Sequence, residues 1–483
     1  MSAPLWVFDE LVRVAGGTAD GRPAVQVTGL SIDTRTLAPG DVFVALTDQR
    51  DGHEFVDGAF ARGAAAALVR RDYDRKPGDG TLIRVDEPLR ALERIGVAAR
   101  RRLAPSARVI AVTGSAGKTG TKEMLRACLM ACASSPDRVH APEKSFNNHW
   151  GVPLTLARMP ADTEYAVLEI GMNHAGEIRP LTQMVRPHIA VVTNVLPVHV
   201  GNFADGMEGV AKAKAEIFEG LEPGGAAIIL QDSPHSELLR ATAAMAGARV
   251  LTFGPGGGAD ASLVDISEQP GAGAEPITAI STRVNDGGEG FGVEYDLGMP
   301  GEHLAINSLA VILALQQLGC LKPAALRRLG GLRPVGGRGA RQLIDTGERP
   351  ILLIDEAYNA NPASMRAALG NLAGVPGEVR RVAIMGDMLE LGAEASRYHV
   401  GLLDAACRTD LVLCCGPQMK HLFEALPVER RGAWAPTSAG LIPHVIATIR
   451  PGDAVMVKGS LGSRMAPVVE AIKKHFAPSR QGG

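Results

Sequence analysis

Short apolar runs alternate with longer amphipathic segments from about residue 107 to residue 325. The runs are rich in β-branched residues and end in glycine or polar residues, which is typical of buried strands, while the segments between them have helical spacing. This alternation predicts a parallel sheet with helices on both faces. The predicted strands are Val109–Val112, Tyr165–Ile170, Ile189–Thr193, Ala226–Leu230 and Val250–Phe253.

The end of this central section has two further features. The interval from Gly254 to Gly290 is polar and rich in glycine and proline, so we expect irregular structure there, with a β excursion as the alternative. The strongly periodic segment Glu302–Leu318 follows Pro300-Gly301 and predicts a long helix that closes the section.

Different patterns flank the central section. The first 106 residues contain short strands and turns, with apolar runs at Asp41–Leu46 and Ala64–Val69, and they end in an arginine-rich helical segment, Leu89–Leu103. The glycine-rich stretch 330–339 is the best candidate for a linker. Beyond it the alternation resumes, and the predicted strands are Ile351–Asp355, Arg381–Gly386, Leu411–Cys415 and Ala454–Val457.

The chain has 483 residues, which is too long for one ordinary hydrophobic core. We therefore predict an α/β protein of three domains: a small α/β domain over 1–106, a central parallel-sheet domain over 107–328, and a Rossmann-like, doubly wound α/β domain over 329–483. No short-period repeat is present, which argues against a solenoid.

Composition narrows the class of protein. The formal net charge of −2 gives no reason to expect a nucleic-acid partner. The six cysteines form no Cys-x-x-Cys pair, so we expect buried, reduced thiols in a cytoplasmic protein. The N-terminus lacks the pattern of a signal peptide, and no apolar run is long enough to span a bilayer, so we expect no membrane insertion.

The clearest chemical signal is the stretch Thr113–Thr119, where a predicted strand breaks into a glycine loop and a helical pattern, Lys122–Ala133, follows. Backbone N–H groups in such a loop cradle phosphate oxygens, the lysine reaches the terminal phosphates, and the following hydroxyl can ligate magnesium. The first glycine of the general phosphate-loop pattern is replaced by Val112, so only the shorter form Thr-Gly-x-x-Gly-Lys-Thr remains. The predicted phosphate-binding residues are Gly114, Ser115, Ala116, Gly117, Lys118 and Thr119.

Polar residues also follow other predicted strands of the central section. Glu169 ends a buried strand, where ligands of open α/β sheets bind, and could hold magnesium; a loop-capping role is the alternative. His199 follows the next strand and could ligate a metal, although a lone histidine is more often structural. Asn147 and Asn148 lie in a polar loop that could contact a polar substrate or simply form turns.

The third section contains similar features, each weak by itself. Asp355 ends a strand and could bind ribose hydroxyls. The segment Met385–Gly392 ends another strand in a Gly-Asp turn, and Lys458 follows the last strand together with a hydroxyl at Ser460.

Taken in order, these segments resemble the Mur ligase family, the ATP-dependent amide-bond ligases of peptidoglycan precursor assembly. The similarity covers nearly the whole chain. The residues that carry it are Asp33–Thr36, Pro39–Asp41, Asp51–His53, Thr113–Thr119, Asn147, Asn148, Glu169, His199, Lys214, Asn307, Arg338, Asp355–Pro362 and Gly386–Gly392. The Asp-Asn-Pro-Arg motif of the members that add a diamino acid is missing. The chain is most similar to the members that add D-alanyl-D-alanine to UDP-N-acetylmuramoyl-tripeptide.

The resemblance implies roles for individual residues. Asp33, Thr34 and Arg35 would bind the uridine diphosphate, with the first domain serving that substrate and the second serving ATP. Two magnesium ions would be held by Thr119, Glu169, His199 and Lys214, the lysine as a carbamate, and Lys118 would bind the transferring phosphate. Further expected contacts are Asn307, Arg338 and Asp355 to the nucleotide, and Asn147, Asn148, Tyr358, Asn359 and Lys458 to the substrates.

Two departures from the family pattern occur, at Gly120, where Ser or Thr is common, and at Ser145-Phe146, where the pattern Gly-Asn-x-Asn-Asn is common. The resemblance implies a cytoplasmic enzyme, and we expect a monomer. Three alternatives remain: a folylpolyglutamate-synthase-like ligase, a nucleotide-dependent switch or regulatory ATPase, and a binding protein that has lost catalysis. The first 106 residues argue against the first of these, and the retained Lys118, Glu169, His199 and Lys214 argue against the last.

Overall fold

A computed structural model describes residues 4–142, 145–269, 271, 276–285, 287–334 and 336–477. Within these residues the strands form three sheets, of five, nine and six strands in chain order. Most neighbouring strands are parallel, as the alternating pattern predicts, and helices cover the sheets. The α/β fold expected from the sequence is confirmed.

The first sheet has the strand order β1-β5-β4-β3-β2, and only β1 is antiparallel to its neighbour. Its apolar runs form β3 and β4, which are almost fully buried. The elements are α1 (Phe8–Ala15), β1 (Thr18–Asp20), β2 (Gly29–Ser31), β3 (Asp41–Val44), α2 (Val56–Ala61), β4 (Ala66–Arg70), β5 (Leu82–Val85) and α3 (Pro88–Arg101).

The central sheet has the order β14-β13-β12-β11-β10-β9-β6-β8-β7. The five predicted strands are all present as β6, β8, β9, β10 and β11, and they are parallel. The elements are β6 (Arg108–Thr113), α4 (Lys118–Leu129), β7 (Val139–His140), α5 (Gly151–Ala157), β8 (Tyr165–Glu169), α6 (Ile178–Val185), β9 (Ile189–Val192), α7 (Gly206–Ala215), β10 (Ala226–Leu230), α8 (Ser236–Met245), β11 (Arg249–Gly254), β12 (Ala261–Gln269), β13 (Ile277–Val284), β14 (Phe291–Leu297), α9 (Glu302–Gln317) and α10 (Pro323–Gly330).

Two predictions for this section need correction. The interval 254–290 contains two strands, β12 and β13, which pair with each other and, through β13, with β14 as an antiparallel extension of the sheet, so the β excursion given as the alternative is present. One face of β13 is buried and the other is more open, so its alternating polar residues made the interval look irregular by composition. The helix after the glycine loop begins at Lys118 rather than Lys122 and ends at Leu129, before Ala133.

The third sheet has the order β15-β16-β20-β17-β18-β19, with an antiparallel β15 at the edge of an otherwise parallel sheet. All four predicted strands are present. The elements are β15 (Ala340–Ile344), β16 (Ile351–Glu356), α11 (Pro362–Ala373), β17 (Arg381–Gly386), α12 (Ala395–Val400), α13 (Leu403–Ala406), β18 (Leu411–Cys415), α14 (Met419–Ala425), β19 (Arg431–Ala435), α15 (Ser438–Thr448), β20 (Ala454–Lys458) and α16 (Ala466–Phe476).

The apolar core joins the first two sheets but leaves the third separate. One cluster of buried side chains runs from Trp6 and the helix α3 into the central sheet. The indole Nε1 of Trp6 donates to the Ala157 carbonyl at 2.9 Å. Gly96 on α3 lies so close to α5 that an added Cβ would be 3.1 Å from the Leu156 Cβ. The six-stranded sheet instead has apolar clusters of its own on its two faces.

Two further sequence predictions concern the state of the cysteines and the presence of membrane-spanning helices. All six cysteines are free thiols, and four of them are fully buried. Across the described ranges, no helix is both long and apolar enough to cross a membrane. The predicted domain boundaries at 106 and 328 stay predictions.

Candidate active site

The glycine loop between β6 and α4 requires its glycines. Gly114 and Gly117 have φ values of +146° and +81°, which L-residues with a side chain rarely adopt. A Cβ on Gly114 would lie 1.9 Å from the Thr193 Oγ1, and one on Gly117 would lie 2.1 Å from the Asn307 Nδ2. The loop is therefore pressed between the end of β9 and the buried side chain of Asn307, the residue that the sequence associates with the nucleotide.

The end of β9 holds the loop in shape. Asn194 Oδ1 accepts a hydrogen bond from the Ala116 N–H at 2.9 Å, and the Asn194 carbonyl accepts from the Ser115 N–H at 3.1 Å. Thr193 Oγ1 donates to the Ala116 carbonyl at 2.6 Å. The sequence indicates that Thr193 and Asn194 lie at a strand end. It does not indicate that they hold the phosphate loop in place through hydrogen bonds.

Replacing Asn194 with alanine is expected to weaken ATP binding about 5- to 30-fold, because the Ala116 N–H loses its acceptor, a loss of about 1–2 kcal/mol. Titration of ATP by calorimetry measures the effect. Asn285→Ala is the matched control, since this asparagine makes a comparable bond at 2.8 Å to the Ala259 carbonyl, next to a different turn. Equal affinities for both variants would contradict the bracing role.

Lys118 begins α4 and turns back over the loop. Its Nζ donates to the Gly114 carbonyl at 2.7 Å. Burial lowers the pKa of this ammonium group, the nearby Glu169 carboxylate opposes that change, and the Arg338 guanidinium adds to it. A cation held at the mouth of a glycine loop is suited to meet phosphate oxygens.

Oxygen atoms converge beside Lys118. Thr119 Oγ1 donates to Glu169 Oε2 at 2.8 Å and lies 3.1 Å from the Ser145 Oγ. Asn147 Nδ2 donates to Glu169 Oε1 at 2.7 Å. The contact between Thr119 and Glu169 follows from the pairing of β6 with β8, which brings their carboxyl ends together. Hydroxyl and carboxylate oxygens are the ligands that Mg²⁺ prefers, so this group fits a magnesium ion.

Lys214 is buried near the end of α7, only 3% exposed, and has no hydrogen-bond or carboxylate partner among the described residues. Burial, reinforced by the positive charge of Lys118, lowers its pKa well below the usual value. A neutral amine can add carbon dioxide, which would turn Lys214 into an oxygen ligand. As they stand, the described residues contain no cluster of three or more His, Cys, Asp or Glu side chains suited to a metal.

His199 lies in the left-handed region with φ +59°, and its side chain is 25% exposed. Burial lowers the pKa of its imidazole, and the neighbouring Glu390 carboxylate opposes that change. Glu390 belongs to the third section and contacts His199 Nδ1 directly. Glu390 lies in the segment Met385–Gly392 that the sequence singles out, but no role was predicted for this glutamate, and nothing in the spacing of the two residues connects them.

The predicted substrate loop divides into two roles. Asn147 reaches Glu169, whereas Asn148 Oδ1 accepts hydrogen bonds from the Trp150 and Gly151 N–H groups at 3.2 and 2.9 Å and so caps α5. An asparagine just before a helix is a readable capping signal. Asn148 is thus committed to the helix terminus, and its contact with a substrate stays a prediction.

Arg338 links the third section to the phosphate loop. Its guanidinium donates to Ser145 Oγ at 3.1 Å and lies 4.2 Å from the centre of the Tyr358 ring. Asp355 supports this arrangement from below, because its Oδ2 accepts from the Gly337 N–H at 2.9 Å. Arg338 and Tyr358 therefore lie close to Ser145, which in turn contacts Thr119 of the glycine loop. Asp355 is hydrogen-bonded to Gly337, the residue before Arg338.

Lys458 ends β20 in a buried position. Its Nζ lies 2.9 Å from Glu356 Oε2 and donates to the Asn359 carbonyl at 3.0 Å. The structure thus brings Lys458 and Asn359 together, as predicted for one site. Glu356, the counter-charge of Lys458, was missed as a separate feature although it follows Asp355 directly.

Asp33, Thr34 and Arg35 line a cavity of about 640 Å³ on the first sheet, together with Arg50, Phe55 and Trp150. The Arg35 guanidinium pairs with the Asp33 carboxylate at 2.7 Å; the arginine side chain is largely exposed and the aspartate partly so. Trp150 comes from the central section, so this cavity lies where the first two sections meet. It is far from the glycine loop in sequence but is connected to it by the segment 145–150.

A glycine loop with a half-buried lysine, an adjacent carboxylate and a separate cavity is typical of a nucleoside-triphosphate-dependent enzyme. Two family models match the chain: "Mur ligase middle domain" over 112–315 and "Mur ligase, glutamate ligase domain" over 341–461. The chain belongs to the Mur ligase family and is an ATP-dependent peptide ligase of that family.

Similar curated proteins carry the name UDP-N-acetylmuramoyl-tripeptide–D-alanyl-D-alanine ligase. The one from Bacillus subtilis is 34% identical over 92% of this chain and 93% of its own length. The one from Escherichia coli is also 34% identical, over 97% of this chain and 98% of its own length. The crystal structure of MurF from Acinetobacter baumannii superposes with a TM-score of 0.81 at 29% identity, over 98% of this chain and all of that one.

Proposed function

We propose that this enzyme joins D-alanyl-D-alanine to UDP-N-acetylmuramoyl-tripeptide, with ATP hydrolysis, and so makes the UDP-linked pentapeptide of peptidoglycan synthesis. The observation that carries the proposal is the segment 145–150. Ser145 lies beside Thr119 and Arg338, Asn147 contacts Glu169, and Trp150 lines the cavity with Asp33 to Arg35.

Five residue steps separate Ser145 from Trp150, so the segment spans at most about 18 Å. A substrate that occupies both places must carry a nucleotide-like group at one end and a carboxylate that reaches the γ-phosphate at the other. A UDP-linked peptide has this shape. Such a substrate also explains why the cavity is built from the first section together with Trp150 of the second.

In the proposed reaction a peptide carboxylate oxygen attacks the γ-phosphorus of ATP and displaces ADP, which gives an acyl phosphate. The amine of D-alanyl-D-alanine then attacks the acyl carbon, inorganic phosphate leaves, and the nitrogen loses a proton as the amide forms. Lys118 offsets the negative charge of the transferring group, and the loop N–H groups hold the phosphates in line. Asn147 and Ser145 keep Glu169 and Thr119 in place. Closure of the third domain, which has its own core, about the stretch 330–337 would exclude water from the acyl phosphate.

Two magnesium ions belong to this proposal. Thr119 and Glu169 would hold one ion, and His199 with carbamylated Lys214 would hold the other. When bound, the ions neutralise phosphate charge. Asn307, Arg338 and Asp355 serve the nucleotide, and Tyr358, Asn359 and Lys458 serve the dipeptide. The enzyme acts as a cytoplasmic monomer, with the first domain binding the UDP-linked substrate, the second ATP and the third the dipeptide.

The test is phosphate release from ATP measured with the UDP-linked tripeptide alone, with D-alanyl-D-alanine alone, and with both. We expect fast release only with both, together with a new product whose mass equals the sum of the two substrates minus water. Release that ignores both substrates would favour a regulatory ATPase. Release stimulated by a folate and glutamate would favour the folylpolyglutamate-synthase-like alternative.

A further inference from the structure

Two tight turns from different domains meet beside the glycine loop. One is the 3₁₀ turn Val200–Asn202 of the central domain, and the other is the 3₁₀ turn Gly392–Glu394 of the C-terminal domain. A Cβ added to Gly201 would lie 2.9 Å from the Gly392 Cα, closer than real side-chain carbons approach. The two backbones therefore touch, and only glycines allow it.

The residues that precede these turns make the second contact. His199 and Glu390 both have left-handed backbones, with φ values of +59° and +64°. Their side chains meet through His199 Nδ1 and Glu390 Oε2. Non-glycine residues hold such conformations at a cost and keep them where the surroundings require it. Both sides of the contact are thus shaped to bring this carboxylate to this imidazole.

A carboxylate on Nδ1 has a defined chemical effect. The negative charge beside this nitrogen favours the tautomer that carries its proton on Nδ1, and that tautomer leaves the Nε2 lone pair available as a ligand. Because Glu390 comes from the C-terminal domain, this preparation of His199 depends on how that domain sits against the central one. Docking of the C-terminal domain on the central domain would therefore also orient the His199 imidazole.

We propose that Glu390 is a positioning residue that reaches from the C-terminal domain, fixes the His199 imidazole, and completes the metal side of the site only when the two domains are docked. The inference deepens the proposed function and rests on it for the role of His199. The backbone contact between Gly201 and Gly392 sets how closely the two domains approach each other.

The charge of Glu390 is tested with Glu390→Gln. The nitrogen-15 signals of His199 in the full-length, substrate-free protein report the tautomer, and the His199→Asn spectrum assigns them among the twelve histidines. We expect the single tautomer to become a mixture and the apparent affinity for Mg²⁺, added with ATP, to fall about 10- to 100-fold. Glu394→Gln is the matched control, because this glutamate lies in the same turn but pairs with Arg397 at 3.1 Å.

The steric part is tested with Gly201→Ala, whose new methyl group would push the two turns apart. We expect the same change in the His199 signals with Glu390 intact, and an expanded X-ray scattering profile. Gly370→Ala is the control, since no atom lies within 4 Å of its added Cβ. Two variants that act by different means but disturb the same histidine would identify the contact as the cause.

The proposal is overturned if Glu390→Gln keeps the wild-type His199 signals and Mg²⁺ affinity, or if Glu394→Gln changes them equally. These readouts need neither the UDP-linked tripeptide nor the dipeptide. Failure of the positioning role is therefore distinguishable from failure of the proposed ligase reaction, which the phosphate-release experiment on the wild-type enzyme decides separately.

Discussion

Replacing Lys118 with alanine is expected to reduce kcat by about 100- to 1000-fold or more, because one preorganised positive charge at the transferring phosphate is lost. The Lys118 Nζ donates a hydrogen bond of 2.7 Å to the Gly114 carbonyl and makes no other hydrogen bond among the described residues. Its removal should therefore leave the conformation of the loop largely unchanged. The apolar core beneath the loop is untouched. The variant should therefore fold normally and still bind the UDP-linked substrate.

Phosphate release with both substrates measures the loss, and thermal unfolding verifies that the fold is intact. Lys212→Ala provides the control for removal of a lysine, since Lys212 is 53% exposed and, among the residues that the structure describes, forms ion pairs with Asp205 and Glu208 alone. If Lys118→Ala turned over at close to the wild-type rate, Lys118 would have no role in the reaction. The assignment of the loop as the ATP site would then also be wrong.

The second large effect concerns Lys214. Lys214→Met is expected to abolish ligation while raising thermal stability by a few degrees in buffer free of carbon dioxide, because a buried amine is replaced by a buried apolar chain of similar length. Activity should return in part when a small carboxylate such as acetate is added to Lys214→Ala, since it can take the place of the carbamate. Full activity of Lys214→Met would contradict the proposal.

The pH dependence provides a separate measurement. The folded protein holds Lys214 with a pKa well below 10.5, so the unfolded chain binds the proton more readily. Stability must then rise with pH between the lowered pKa and about 10.5, and the destabilisation is greatest below that window. Lys214→Met should lose this part of the pH dependence, whereas Lys212→Ala on the same helix should keep it. Labelling with carbon-13 bicarbonate tests for the proposed carbamate directly, and we expect a carbonyl signal that Lys214→Met lacks.

The sequence was sufficient for elements whose evidence is local. The phosphate loop, its lysine and Glu169 could be predicted because each lies at the end of a predicted strand. In an open parallel sheet, ligands bind at the carboxyl ends of the strands. The bracing of Ala116 by Asn194 depends on β9 lying beside β6, an order that spacing alone does not give. The contact between His199 and Glu390 depends on the docking of two domains and had no sequence signal.

The remaining differences have similar physical causes. The strands β12 to β14 were obscured because one side of this antiparallel extension is polar, and composition does not distinguish such strands from loops. Asn148 stays a predicted substrate contact, and the structure adds a helix-capping bond to Gly151 that its position three residues earlier could also have indicated. Local capping competes with long-range function for the same side chain.

The packing of α3 on α5 limits how this enzyme can be recombined. A chimaera that exchanges the first 106 residues between distant relatives would replace α3, including Gly96, and place a foreign helix against Leu156, where a larger residue at this position would clash. The six-stranded sheet has its own apolar clusters, so an exchange after residue 330 should preserve solubility far better. For recombination, the first two sections therefore behave as one unit with a shared core, whereas the third section carries a core of its own.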